Sequence, residues 1–343
     1  MRPDAAGNWV GWEVEIIGAV CTAAEIECAI TPVAWDGIIP ALLARKYDAI
    51  VIGAGHNGLT NAAYLAKGGL DVLVVEKNDY IGGAAVSREL HEGWINSNCS
   101  YVCSLLRPEI ARDLELPRHG LQVVPYGGGV TFKRDGDYYG NYYDHNRQYR
   151  EMARHSKRDA NAYERYATDV MKQTRLIRPY LLQRPPDPTS LKLRDLRDLM
   201  NFARSFTEMG EEGLADTLKF WTKSVGDYLN EYFETDVIKA HLGGTGVIGT
   251  ALGVYSPGTA YVLLHHVMGD VDGAVGAWGL ARGGMGAISN AIAGALREHG
   301  GEIRTSAPVQ QIIVRNGRAV GVALEGGEEI GRASCRERVS SPV

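Results

Sequence analysis

Gly53-Ala54-Gly55-His56-Asn57-Gly58 stands directly after the apolar run Ala49-Ile50-Val51-Ile52, and an acid, Glu76, follows 18 residues past the last of these glycines. Each position answers a separate need of a bound dinucleotide. Gly53 permits a tight turn, Gly55 lets a pyrophosphate approach the backbone, and Gly58 lets the following helix pack closely on the strand. Ala54 and Asn57 complete the loop. The amino terminus of that helix offers free N–H groups and the positive end of its dipole to phosphate. A carboxylate at the end of the next strand accepts from ribose hydroxyls and repels a 2′-phosphate, which argues against NADP. A lone G-x-G-x-x-G is weak evidence; here strand, helix, second strand and terminal acid occur in order.

The elements that must hold this loop are legible as patterns. Residues 47–53 read as a buried parallel strand, and residues 71–76 as a second one. Between them Leu59, Ala62, Ala63, Leu65 and Ala66 read as a helix ended by Gly68-Gly69. Short strands and turns fill residues 93–143, with a hairpin at Asp135-Gly136. From about residue 147 to 239 the period turns helical. Tyr163, Tyr166 and Val170 stand at i, i+3, i+7, as do Leu193, Leu196 and Met200. Pro185, Pro186 and Pro188 interrupt that region, and Thr189 or Ser190 is placed to cap the next helix. A helix over 287–299 ends at Gly300-Gly301, and strands at 302–305, 309–314 and 319–324 can return to the first unit. The last two are joined at Asn316-Gly317.

Composition narrows the classes. A chain of 343 residues suggests about two domains, and 45% hydrophobic with 22% charged residues is globular. The formal charge of −5 gives no case for nucleic acid, and no apolar run approaches the roughly 18 residues of a transmembrane segment. Glycine is in excess, 42 residues. Five scattered cysteines form no C-x-x-C and no zinc spacing, so no metal is expected. Reduced thiols fit a cytoplasmic protein, with the mitochondrial matrix as the alternative. Cys99-x-x-x-Cys103 would share one face if helical, as a redox pair or as two small buried side chains. No G-x-S-x-G or H-E-x-x-H is present. His265 and His266 are the acid–base candidates against a packed structural role, and no catalytic residue is assigned. Tyr138, Tyr139, Tyr142, Tyr143 and Tyr149 either line an apolar tunnel or pack on a sheet face. The basic stretch over 147–204 is a peripheral membrane contact or a solvated helix face.

Ile81-Gly82-Gly83-Ala84-Ala85-Val86-Ser87 resembles the flavoprotein extension that lies along the FAD pyrophosphate. In many amine-oxidase and phytoene-desaturase relatives the residue after the diglycine is basic; Ala84 departs from that. Together with residues 48–76, Ser104-Leu105-Leu106-Arg107-Pro108-Glu109-Ile110, the stretch Tyr261 to Gly269, Gly276-Ala277-Trp278-Gly279 and Gly283-Gly284-Met285-Gly286, the chain resembles a family of phytoene-desaturase-like FAD-dependent oxidoreductases. Within it the set resembles pyridine nucleotide-disulfide oxidoreductase domain-containing proteins and their bacterial relatives, which are similar to phytoene desaturases. The resemblance covers about residues 47–329.

It implies an α/β fold with a discontinuous Rossmann-type FAD-binding domain, first part 46–146 and second part 271–329, and an inserted, mainly helical substrate domain over 147–270. It also implies that Gly284 and Met285 lie near the flavin and that Val309 touches the adenine. The expected function is hydride transfer from an apolar or amine-like small substrate to FAD, with the electron acceptor unknown. The alternatives are a flavin amine oxidase and a flavin-binding scaffold acting through partner association.

Both ends depart from this texture. Residues 1–45 carry Trp9, Trp12 and Trp35 without a period and read as a native extension or an over-called start. Residues 330–339 can be written, codon by codon, as a common sequencing adapter, so residues 330–343 are expected to be an artefactual tail. That reading leaves the strand at 319–324 with an open edge and the sequence short of the family's last portion.

Overall fold

The structure, a computed structural model, describes residues 2–3, 9–10 and 47–331. Apart from a short antiparallel pairing of Arg2–Pro3 with Trp9–Val10, the leader lies outside the described residues, as do Cys21, Cys28 and Cys335. The chain divides into two compact units. One gathers residues 1–101, 109–122 and 281–343; the other gathers residues 102–108 and 123–280.

The first unit opens with β1 (Ala49–Ile52), α1 (His56–Lys67) and β2 (Val72–Val75). The strands are parallel, from Ala49 opposite Val72 to Ile52 opposite Val75. All four residues of β2 are buried, which is why its sequence is apolar without alternation. α1 turns Leu59, Ala62, Ala63 and Ala66 inward and stops at Gly68. The hairpin of β3 (Ser87–His91) and β4 (Trp94–Ser97) follows.

In the second unit, β5 (Gly128–Phe132) and β6 (Tyr138–Tyr142) form the hairpin expected at Asp135-Gly136. Then come α2 (His145–His155), α3 (Lys157–Ile177), α4 (Leu193–Thr207), α5 (Gly210–Thr222), α6 (Val225–Asn230), α7 (Asp236–Gly244) and α8 (Thr259–Leu264). Tyr166 and Val170 enter the core with Phe220, Tyr228, Leu229, Phe233 and Leu263, and Tyr163 packs against it. Asp159, fully buried, accepts from the backbone N–H groups of Glu234 and Thr235, both at 2.9 Å, and so ties α3 to the approach of α7. No helix among the described residues is long and apolar enough to cross a membrane.

One local expectation is borne out here and one needs correction. Leu193, Leu196 and Met200 do lie on a helix, but they face solvent at 87, 38 and 65% exposure. The buried side of α4 is set instead by Asp195, which accepts from the Ser190 hydroxyl at 2.6 Å, and by Phe202 and Phe206, whose rings meet Tyr180 and Trp221. Neither Thr189 nor Ser190 is the N-cap; Lys192 holds that position without a side-chain bond, because Ser190 is committed to Asp195 and Thr189 to Asp187.

The chain returns to the first unit through α9 (Gly286–Glu298), β7 (Glu302–Arg304), β8 (Val309–Arg315), β9 (Arg318–Leu324) and β10 (Glu329–Gly331). β7 pairs in parallel with β2, so the sheet order is β7-β2-β1. α9 packs on α1 and buries Ala291, Ile292, Ala295 and Leu296 among others. Asn316 and Gly317 take φ of +47° and +74°, as a two-residue hairpin turn requires. β10 corrects the expectation of an open edge on β9: Ile330 pairs with Val322 and is buried beside Leu73, Val75 and Leu324. The edge of β9 is therefore paired over residues 321–323, and residues 332–343 lie outside the described residues.

Candidate dinucleotide-binding site

The fingerprint loop lies between the end of β1 and the start of α1. Gly53 takes φ +95°, a conformation disfavoured for any residue with a Cβ. A Cβ on Gly58 would stand 2.1 Å from the Gly53 carbonyl oxygen, so the helix passes too close to the turn for any side chain there. The first bond of α1 runs from the Leu59 N–H to the Gly55 carbonyl at 2.9 Å, and Gly55 caps the helix without a side chain. The amides of residues 56–58 thus make no helical bond, and they stand where an anion is stabilised. Ala54 is fully buried beneath the turn, whereas Asn57 is exposed at its rim. The half-buried His56 presents a shielded Nδ1 with no partner among the described residues.

Glu76 follows β2 immediately and is 7% exposed. Its Oε2 accepts from the Ala54 N–H at 2.7 Å, and its Oε1 accepts from the Asn78 N–H at 3.0 Å and Nδ2 at 2.8 Å. The acid therefore braces the fingerprint loop before any ligand arrives. A carboxylate has about four acceptor positions; with three in use, one remains on Oε2.

The second glycine pair closes against the first. The Gly82 N–H donates to the Ala54 carbonyl at 2.8 Å, and Gly55 and Gly82 form a parallel bridge. Gly83 and Ala84 are exposed, and Ala84 offers no cation; the guanidinium of Arg88 lies 4.4 Å over the Tyr80 ring instead. Three serines that sequence reasoning did not single out as ligands or braces join this extension to Gly284 and Met285. The Ser97 hydroxyl accepts from the Met285 N–H at 3.0 Å, the Ser87 hydroxyl accepts from the Gly286 N–H at 2.9 Å, and Ser289 donates to the Ala85 carbonyl at 2.7 Å. Val309 opens β8 opposite Leu324 and packs on the cluster containing Val75. Beside it, the Ala307 N–H donates to the Glu76 carbonyl at 2.8 Å. Glu76, the fingerprint glycines, Gly82-Gly83, Gly284, Met285 and Val309 thus belong to one unit.

Other candidates resolve into packing. Cys99 and Cys103 lie on no helix, so the shared-face argument for a redox pair fails. Cys99 is exposed; Cys103 is buried in a bridge to Gly279, and burial pushes its thiol up. The ring of His265 packs on Tyr261, with centroids 5.5 Å apart. The half-buried His266 stacks near Trp278, and burial, aided by His265, holds its imidazole below the usual range. Tyr139 is buried and accepts from Gln148 Nε2 at 2.6 Å, while Tyr138, Tyr143 and Tyr149 stay exposed.

The family model of the flavin-containing amine oxidoreductases matches residues 58–339. The chain belongs to that family. Its cofactor is FAD. Pyridine nucleotide-disulfide oxidoreductase domain-containing protein 2 of Rattus norvegicus is 38% identical over 306 residues, covering 84% of this chain and 52% of that protein. A chloroplastic prolycopene isomerase of Daucus carota is 26% identical over 296 residues, 83% of this chain and 45% of the isomerase. The chain spans about half the length of the curated relatives it matches. A triple mutant of putrescine oxidase shares the fold, with a TM-score of 0.51 at 16% identity over 84% of this chain and 56% of that one. A second family model, that of bacterial extracellular solute-binding proteins of family 3, matches residues 1–58.

The residues present fit FAD. A glycine turn, a helix start at residues 56–58 without a side-chain cap, a His56 Nδ1 with no partner among the described residues and an acceptor position on Glu76 lie together in one unit.

Proposed function

We propose that the chain is the FAD-binding part of a phytoene-desaturase-like oxidoreductase that removes hydride from an apolar or amine-like small substrate. The observation that carries this reading is the meeting of the Gly53-Ala54-Gly55 loop and the Gly82-Gly83 loop at the amino terminus of α1, with Glu76 bonded to Ala54 of the first. The amides of residues 56–58 hold the pyrophosphate, and the open Oε2 position of Glu76 accepts a ribose hydroxyl. Val309 flanks the adenine. Gly284 and Met285, held by Ser97 on the Met285 amide and Ser87 on the Gly286 amide, face the flavin end. When bound, FAD supplies the hydride-accepting chemistry, and the protein orients it and excludes water.

The mainly helical unit serves as the substrate domain in this reading. An apolar substrate is supported by the likeness to prolycopene isomerase, and Ala84, in place of a basic residue, weighs against an amine oxidase proper. Leu191, Leu193 and Met200, exposed at 88, 87 and 65% beside Lys192, Arg194 and Arg197, support a peripheral contact with an anionic membrane surface. The setting proposed is cytoplasmic, with the mitochondrial matrix as the alternative. Purified protein should carry FAD and lose its yellow colour anaerobically when given a terpenoid alkene. Bleaching by primary amines alone would favour the amine-oxidase reading, and bleaching by neither class would refute the enzyme.

A further inference from the structure

The second unit contains a cavity of about 300 Å³ bounded by α3, α5 and the end of α6, none of whose lining residues belongs to the dinucleotide site. Its inner wall is aromatic: Phe220, Tyr228 and Tyr232 are 3, 6 and 8% exposed. Beside them lies Gln173, 6% exposed, whose Nε2 donates to the Thr217 hydroxyl at 3.1 Å. Its Oε1 is shielded from solvent and has no hydrogen-bond partner among the described residues. A buried polar atom left without a partner is costly, and such atoms in folded proteins are normally satisfied by protein, water or ligand. The neighbouring phenol does not serve it, because Tyr232 donates to Asp169 at 2.9 Å.

Charge at the rim is mostly spent. Lys172 pairs with Asp169 at 3.0 Å, and Lys223 pairs with Glu231. Lys219 is exposed and makes no ion pair among the described residues. With Asp216 and Arg165 counted, the lining carries four cations against three carboxylates, which favours a single negative charge. The volume lies at the small end of ligand pockets, room for one substituted ring against an aromatic wall.

We propose that this cavity binds a small aromatic carboxylate bearing a hydroxyl group, with the hydroxyl bonded to Gln173 and the carboxylate meeting Lys219 at the rim. A hydroxyl both donates and accepts, so it serves either orientation of the Gln173 amide. The site is independent of the flavin reading.

Calorimetric titration of the full chain with 4-hydroxybenzoate, benzoate and 4-hydroxybenzamide separates the contributions. Saturable binding of 4-hydroxybenzoate is expected, with benzoate weaker by about tenfold for want of the hydroxyl. The uncharged benzamide should bind several-fold more weakly and without salt dependence. Gln173→Leu should erase the preference for the hydroxyl, and Lys219→Met the preference for the carboxylate. Lys219 is exposed, so Lys219→Met keeps the test alive should Gln173→Leu fail to fold. A hydroxyl preference retained in a folded Gln173→Leu protein, or a carboxylate preference retained in Lys219→Met, overturns the assignment. So does the absence of saturable binding, the result for a cavity that holds only water.

Discussion

Glu76 is expected to stabilise the flavin-free protein as well as to hold ribose. Its carboxylate accepts three hydrogen bonds: one from the Ala54 N–H and two from Asn78. Glu76→Ala removes all three. Asn78 is only half-buried and can turn to water, whereas Ala54 is 0% exposed and its N–H has no other acceptor among the described residues. A buried donor left unpaired costs about 1–3 kcal/mol, and a bond to a charged acceptor contributes about 1.5–3. The net loss should therefore be about 2–3 kcal/mol. For a unit of this size that lowers the melting midpoint by roughly 4–12 °C.

Glu76→Gln keeps one oxygen for Ala54 but turns an NH₂ group toward the donors of Asn78, so its loss should fall between the two. The assay is thermal or urea unfolding of flavin-free protein. A residue that served only the ribose would leave that midpoint untouched. An unchanged midpoint in flavin-free Glu76→Ala would therefore refute the bracing role, whatever happened to flavin affinity.

Gly58→Ala should destabilise the first unit by about 1–3 kcal/mol and reduce bound-flavin stoichiometry, because the new methyl stands 2.1 Å from a backbone oxygen; full flavin occupancy would contradict the close approach. Burial holds the imidazole of His241 below its ordinary value, and it bonds the Thr131 hydroxyl at 2.8 Å. Its contribution is therefore present above the unfolded value of about 6.5 and lost as pH falls through that value toward the folded one. Stability measured from pH 7 to 5 should fall less steeply in His241→Gln, and an identical slope would exclude the group. Leu193→Asp combined with Met200→Asp should leave the unfolding free energy within about 0.5 kcal/mol, as surface changes do, while abolishing co-sedimentation with anionic vesicles. A large stability loss would show that these side chains pack inward.

What was legible in the sequence is what short-range sterics encode. β1, α1 and β2 follow from an apolar run, a glycine turn and an alanine-rich helical face, all within residues 49–76. Asn316-Gly317 states its turn outright, because both positions need positive φ. Period alone also found α4 but not its orientation. Leu193, Leu196 and Met200 satisfy the helical spacing, yet Asp195 and two phenylalanines determine which side turns inward. Hydrophobic spacing reports that a stripe exists, not that something covers it. Cys99 and Cys103 failed for a related reason: the i, i+4 rule applies only inside a helix, and none forms there.

The site divides along the same line. Gly53, Gly55, Gly58 and Glu76 are readable because the backbone that joins them also sets their separation. Ser87 and Ser97 were not, because their partners lie 199 and 188 residues later in the chain. A serine after a diglycine extension looks like any loop serine until the strand order β7-β2-β1 carries the late segment back beside the early one. These hydroxyls take the Met285 and Gly286 amides, so the amino terminus of α9 is already occupied by the protein. That of α1 is not, since Gly55 has no side chain to cap it. Of these two helix starts in one unit, α9 has side-chain hydroxyls on its first amides and α1 has none, and the reason is the placement of two serines rather than anything in the fingerprint.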